Sequence, residues 1–458
     1  MQKPLTIVVF GATGDLFSKK LAPALFDVHQ KKLLSEGTEI VGFSRKPFLN
    51  DQFRAFIQNA LAVRAKGAAL EPEEFVARAR YHQGDLTKGE SYVALGAFLA
   101  ERDQSRGVCS DKLFYLAVPP NLYETVFREL AASGLAIPCA PGIPDEEKAW
   151  TRVLVEKPFG SDECEAARLD TLLGSLFEES QIFRIDHYLA KEAVQNIILF
   201  RFSNPLFESL WSKEHIERVE ILMHEASGVG ERGAFYDSVG ALRDVGQNHI
   251  LQMLALVAME KPASFDAEAI RAARRAALEK VALNGSLDAT VIRGQYEGYK
   301  NERGVAPESQ TETYFKIIAG VKNSRWKGVP FVLESGKMLA DPRSHIKIFF
   351  KGEPKNVLTF SISPHEEISV GFFAKRTGVG FEVEQKCLAF SFSSDPLAVA
   401  LAGGYERVLM DCIRGDQTLF TSTGEVKAEW KFITPILEKW EKLPLKTYKK
   451  GSTEVAKD

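Results

Sequence analysis

The sequence lacks several features, and each absence removes a class of function. There is no basic excess: 58 Lys and Arg stand against 61 Asp and Glu, for a formal net charge of -3. A nucleic-acid binder needs cationic surplus to neutralise phosphates, and a polybasic membrane-surface protein needs it to meet anionic headgroups. There is no long apolar run: no window approaches the ~20 apolar residues of a membrane-spanning helix. The N-terminal run "LTIVVF", Leu5 to Phe10, is followed by glycine and is too short for a secretory signal. Cysteine is sparse: Cys109, Cys139, Cys164, Cys387 and Cys412 are scattered, odd in number and without CxxC spacing. That pattern gives no zinc signature, and it reads as free thiols in a reducing compartment, the cytoplasm. Internal repeats are also missing.

What is present is an ordinary globular composition, 45% hydrophobic and 26% charged, over 458 residues. That length asks for two or three domains. Up to about residue 185, short apolar runs alternate with amphipathic segments. "LTIVVF", "EIVGFS", "LFYLAV", "RVLVEKPFG" and "QIFRI" read as buried strands. Between them lie helical stretches, including those from Asp51 to about Arg80. Alternation of this kind predicts a parallel sheet covered on both faces. Beyond Ile185 the order changes. A helix from Lys191 to Phe200 and a long one from Ser238 to Met259 accompany "IERVEILMHEA". Then "TETYFKIIAGV", "VPFVLES", "HIKIFFKG", "NVLTFSIS" and "SVGFFAK" follow one another without regular crossover helices. The fold class is therefore an α/β Rossmann-like domain, 1–185, plus an α+β domain, 186–458, with a large, mainly antiparallel sheet. The polar tail from Leu445 is expected to fray.

"VVFGATGDLFSKKL" places Gly11 and Gly14 between the first strand and the first helix. Gly11 permits a tight turn, and Gly14 lets a pyrophosphate approach N–H groups at a helix start. The spacing is GxxG rather than GxGxxG, so a plain strand-to-helix turn is an equal reading. The second strand ends "GFSRKP", with Ser44, Arg45 and Lys46 and no acid. A ribose 2′-phosphate prefers a cation there, whereas a 2′-hydroxyl prefers a carboxylate. This favours NADP over NAD, unless Arg45 and Lys46 are only a solvated pair.

"RIDHYLAKEAVQN", Arg184 to Asn196, crowds Asp186, His187, Tyr188 and Lys191 into a few residues. A helix beginning near Tyr188 would put His187 and Lys191 one turn apart. Two cations and a phenol converging there make a dianion site. A capped helix start with surface salt bridges is the alternative.

With these motifs in place, the sequence resembles the glucose-6-phosphate dehydrogenase family over nearly the whole chain. "GATGDL" with "KKLAPALF", "YLAVPPNLY", "VLVEKPFG", "RIDHYLAKEAVQN", "RDVGQNHILQMLALVAMEKP", "TETYFKIIAGVKNSRWKGVPFVLESGK" and "YERVLMDCIRGDQTLF" match its landmarks in order. The resemblance implies an enzyme that oxidises glucose 6-phosphate at C1 to a lactone with NADP, opening the pentose phosphate pathway. It implies His249 of "DVGQNH" as the base and Asp186 as its carboxylate partner, fixing the tautomer. His187, Tyr188 and Lys191 would hold the 6-phosphate, which also orients C1. Glu225 and Asp244 would accept from sugar hydroxyls. Lys20, Lys157 and Lys337 would complete the substrate site, with Lys157 between sugar and coenzyme and Pro158 after a cis bond. Gly11, Ala12, Thr13, Gly14, Asp15, Leu16, Arg45 and Asp85 would line the coenzyme. No metal is implied. A homodimer or homotetramer, joined through the large sheet, is the implied assembly.

Three positions depart from the family pattern. Ala190 replaces a usual Gly, with little change expected. Gly246 stands where a larger apolar residue is usual, so a gap behind the base is expected, and a helical Gly costs about 1 kcal/mol relative to Ala. A basic residue usual five positions after Lys337 is Pro342 here, and Arg343 is taken as its substitute. The sequence leaves two alternatives: a same-fold aldose dehydrogenase with NAD preference or relaxed phosphate dependence, and a non-catalytic NADP-binding sensor.

Overall fold

The computed structural model describes residues 3–65, 72–138, 149–392 and 404–455. Its strands begin with β1 (Leu5–Phe10), β2 (Glu39–Ser44), β3 (Ala79–Gln83), β4 (Asp111–Leu116), β5 (Thr151–Val155) and β6 (Ile182–Ile185). They continue with β7 (Ile216–His224), β8 (Val281–Leu283), β9 (Val291–Tyr296), β10 (Tyr314–Val321), β11 (Phe331–Gly336) and β12 (Ser344–Phe350). The last are β13 (Val357–Ser363), β14 (Glu367–Lys375), β15 (Val383–Ser391), β16 (Phe420–Thr421) and β17 (Leu445–Tyr448).

The chain forms two compact units. Apart from Ser161–Glu163, it stays in the first up to His187, and the described residues from Gly404 to Ser422 belong to the first again. The first unit holds one sheet in the order β16-β6-β5-β4-β1-β2-β3. All neighbours are parallel except β16, which is antiparallel to β6. β1 is buried at every position, as a strand covered on both faces must be. Strand order reverses at β1, between β2 and β4, which is the switch point where such sheets bind ligands.

The second unit carries a ten-stranded sheet, β15-β14-β13-β12-β7-β11-β10-β9-β17, with β8 added on β10. Most neighbours are antiparallel; β7 with β11 and β9 with β17 are parallel. Alternation shows in β13, where Leu358, Phe360 and Ile362 are buried and the residues between them are not. One face is thus apolar and covered.

Several expectations are corrected. The helical stretches expected to about Arg80 end at Ala77, and Ala79–Gln83 is the edge strand β3 beside β2. The helix after "RIDHYLAK" begins at Glu192, because Lys191 is extended at φ -75, ψ 135. His187 to Ala190 form a turn instead. The tail does not fray at Leu445: β17 pairs with β9, and Gly451 and Ser452 bond back to the chain at Met338 and Ala340. Cys109 is disulfide-bonded, not a free thiol. Cys139 lies outside the described residues. Cys164, Cys387 and Cys412 are free.

Candidate active site

The loop after β1 is built by close approach. Gly11 has φ +79, and a Cβ there would lie 2.3 Å from the Ala117 carbonyl oxygen. Gly11 N–H donates to Phe43 O at 2.9 Å, and Gly14 N–H donates to Gly11 O at 2.9 Å. Ala12 is buried beneath, while Gly14 and Asp15 are exposed where the helix starts. Thr13 and Ser44 hydroxyls meet at 2.8 Å, tying the loop to the end of β2. Tyr81 donates to Lys46 O at 2.6 Å and lies 3.0 Å from Ser44 O, so the Arg45 backbone is pinned beside the loop. Open glycine backbone, a helix start and an adjacent cation at the switch point fit a dinucleotide. The first helix is wound as a π-helix over Phe17–Leu21, which contains Lys20. Asp15 pairs with Lys19 at 2.7 Å. Asp85 accepts from Thr87 N–H and Oγ1 at 2.9 and 2.8 Å, and the backbone bond, then the hydroxyl, holds its pKa low.

Lys157 follows β5 through a cis bond to Pro158. The preceding Glu156 carboxyl is buried and accepts from Tyr115. Burial raises its pKa, and a Tyr115 bond, the Lys157 charge and a Tyr405 bond oppose the rise. Tyr123 donates to Glu156 O at 2.8 Å.

In the first unit Asp186 is 3% exposed at the end of β6. In the second unit, His249 is 1% exposed and its ring lies 4.4 Å, centroid to centroid, from that of Tyr188. The helix that carries His249 is not regular. Gly240 breaks it at φ 75, ψ 170, and Leu242–Ile250 is a π-helix continued by the α-helix Leu251–Ala258. An α-helix would separate Asp244 and His249, five residues apart, by about 140° around its axis. The wider π turn closes residue i on i+5 and brings them towards one side. Asn248 supports that winding by donating to Asp244 O at 3.1 Å. Glu312 caps it: Leu242 N–H and Trp440 Nε1–H donate to its two oxygens at 2.9 and 3.0 Å. The gap expected at Gly246 is absent. A Cβ there would meet Leu242 Cδ1 at 2.7 Å and Phe315 Cζ at 2.8 Å, so those side chains already fill the space.

Lys191 stands 3.5 Å from Glu366, whose other oxygen accepts from Ala193 N–H at 3.0 Å. Lys337 donates to Glu225 at 2.6 Å and lies 5.1 Å above the Tyr236 ring. Burial raises the Tyr236 pKa first, with the charges of Asp244, Glu312 and Glu225 adding. Glu225, Asp244 and Lys337 therefore converge around one buried phenol. Arg343 is half-exposed and pairs with Asp341. Sequence reasoning missed Glu156 in the first unit and Tyr236, Glu312 and Glu366 in the second; within each unit, contacts between distant segments place them.

A parallel sheet with an open glycine loop at its switch point, followed by a unit that buries a histidine and pairs lysines with carboxylates, defines a nicotinamide-dinucleotide oxidoreductase. The comparisons narrow the class. Residues 8–196 match the family model "Glucose-6-phosphate dehydrogenase, NAD binding domain", and residues 198–457 match "Glucose-6-phosphate dehydrogenase, C-terminal domain". The chain is 36% identical to glucose-6-phosphate 1-dehydrogenase of Chlamydia muridarum, covering 96% of this chain and 91% of that enzyme. It is 37% identical to the cytoplasmic glucose-6-phosphate 1-dehydrogenase 5 of Arabidopsis thaliana, covering 98% and 89%. A solved glucose-6-phosphate dehydrogenase in complex with its substrate glucose 6-phosphate superposes with a TM-score of 0.90 at 33% identity, covering 99% of this chain and 96% of that one. The chain belongs to the glucose-6-phosphate dehydrogenase family.

Proposed function

We propose that this chain oxidises D-glucose 6-phosphate at C1 to 6-phosphogluconolactone with NADP, the oxidative entry to the pentose phosphate pathway. The observation that carries the reading is the convergence of Glu225, Asp244 and Lys337 in the unit that buries His249, in a chain of this family. His249 is the base that takes the C1 hydroxyl proton, since neutral imidazole is abundant near neutral pH. Asp186 is its carboxylate partner on the family resemblance, holding the tautomer and stabilising the imidazolium. His187, Tyr188 and Lys191 hold the 6-phosphate. Glu225 and Asp244 accept from sugar hydroxyls, while Lys337, Lys157, Lys20 and Arg343 supply cations around the substrate. Bound nicotinamide supplies the acceptor for the hydrogen and electron pair leaving C1. Gly11 to Leu16 and Asp85 line the coenzyme, Lys157 stands between it and the sugar, and Arg45 meets the 2′-phosphate.

The pinned Arg45 backbone beside the loop supports NADP, because a guanidinium recognises a phosphate through paired N–H donors. The cytoplasm is the assigned compartment, as in the Arabidopsis relative's name. The assembly is a homodimer or homotetramer, with no nucleic acid or membrane as partner. Among the described residues no helix is long and apolar enough to cross a membrane. The test is coenzyme binding to Arg45→Ala. NADP affinity should fall by about 10- to 100-fold, the value of a charge-assisted phosphate contact, with NAD little changed. Equal weakening of both coenzymes would contradict the NADP assignment.

A further inference from the structure

Lys337 leaves the chain at a tightly determined point. Its N–H donates to Thr313 O at 3.0 Å, and its carbonyl accepts from the Tyr448 hydroxyl at 2.7 Å. The next residue, Met338, has φ +55, a backbone that L side chains rarely adopt. Met338 N–H donates to Ser227 O at 3.2 Å, and its carbonyl accepts from Gly451 N–H at 2.8 Å. Ala340 N–H then donates to Ser452 O at 3.1 Å. The carbonyls of both Lys337 and Met338 are thus held by the C-terminal segment that begins with β17.

The Tyr448 hydroxyl is the centre of this arrangement. It is buried, and it lies 2.9 Å from Thr313 Oγ1 and 3.2 Å from Thr313 O, besides its shorter contact with Lys337 O. One hydroxyl has one proton to give. The shortest contact takes it, and Thr313 Oγ1 then donates to Tyr448 while accepting from Tyr296 N–H at 3.0 Å. A directional chain runs from the Tyr296 N–H through Thr313 and Tyr448 to the Lys337 carbonyl, and such chains polarise one another. At its far end the Lys337 ammonium is set against Glu225 and the Tyr236 ring.

We infer that Tyr448 is a positioning residue for Lys337: its hydroxyl ties the C-terminal strand to the lysine's backbone and so sets affinity for the phosphorylated sugar. This rests on the reading of Lys337 as a substrate-binding cation. Tyr448→Phe keeps the ring, which packs against Tyr296 and Tyr314, and removes only the hydroxyl. Steady-state kinetics would be run on Tyr448→Phe, Lys337→Ala and the double variant, with thermal melting alongside. Tyr448→Phe should raise KM for glucose 6-phosphate about 3- to 10-fold, the value of one hydrogen bond. Its kcat and coenzyme KM should stay near wild type. The double variant should be no worse than Lys337→Ala alone, because the hydroxyl acts through the lysine.

An unchanged KM in Tyr448→Phe, with KM raised in Lys337→Ala, would overturn the inference and leave the substrate reading standing. An unchanged KM in Lys337→Ala would instead overturn the role of Lys337, and the inference with it. Additive effects, or parallel loss of kcat, coenzyme affinity and melting temperature, would show a merely structural tyrosine. Should Tyr448→Phe fail to fold, Thr313→Val removes the donor to the same hydroxyl and carries the same expectation.

Discussion

Replacing Gly11 by Ala should damage the coenzyme loop by two separable effects. The first is backbone strain: φ is +79 at Gly11, and a left-handed L residue costs about 1–2 kcal/mol. The second is overlap. The new Cβ would stand 2.3 Å from the Ala117 carbonyl oxygen and 3.1 Å from the carbon. That carbonyl cannot swing away freely, because Ala117 N–H donates to Phe10 O at 3.0 Å and β4 is in register with β1 through Phe10 and Leu116. Overpacking of this kind costs about 1–3 kcal/mol. Together the effects come to about 2–5 kcal/mol. The loss will divide between stability and coenzyme affinity, since the loop can relieve the clash by moving its N–H groups off the pyrophosphate. Two kcal/mol expressed as affinity is about 30-fold. Coenzyme titration by protein fluorescence, with thermal melting on the same samples, reads both parts. Gly134→Ala is the control. Its φ is +76 with open space around the new Cβ, so only the strain should appear, with coenzyme binding intact. Wild-type melting and wild-type affinity in Gly11→Ala would refute the close-approach argument.

Glu312→Ala removes the cap of the π-helix and leaves two buried donors, Leu242 N–H and Trp440 Nε1–H, without their acceptor. We expect about 2–6 kcal/mol lost, from two orphaned donors at ~1–3 each, the first of them the helix cap, measured by denaturant unfolding, with kcat falling before coenzyme affinity. His345 is held neutral: burial, with Lys347, Arg343 and His224 adding, pushes its pKa down from 6.5 to about 3. Between those values the unfolded chain binds the proton and the folded one does not. The contribution is therefore full above pH 6.5 and is lost as pH falls towards 3. His345→Gln should flatten this acid limb of the stability profile, as read by urea midpoints across that range; an unchanged slope would mean His345 does not carry it.

Much of the first unit was legible because fully buried parallel strands are continuous apolar runs. β1 and β2 fall where "LTIVVF" and "EIVGFS" placed them. β3 was lost because "ARYHQ" is a short, half-polar edge strand that follows directly on the helical residues Glu73–Ala77. In the second unit, β17 was hidden in a charged tail, since its pairing with β9 uses backbone groups that composition does not report. The site was legible as motifs and illegible as geometry. "RDVGQNH" showed Asp244 and His249, but nothing in it announced a π-helix, which depends on the break at Gly240 and the cap from Glu312. Gly246 suggested a void for the same reason: the ring that fills it, Phe315, comes from β10, far away in sequence.

The central claim is that His249 is the base of a phosphate-dependent sugar oxidation. The most direct measurement follows coenzyme reduction by absorbance with pure protein, NADP, and either glucose 6-phosphate or glucose, for wild type and His249→Asn. The account predicts rapid NADP reduction with the phosphorylated sugar alone. In His249→Asn it predicts a fall in kcat of about 10²- to 10⁴-fold, the usual contribution of a general base, with substrate binding retained. Equal rates with free glucose, or full activity in His249→Asn, would contradict it.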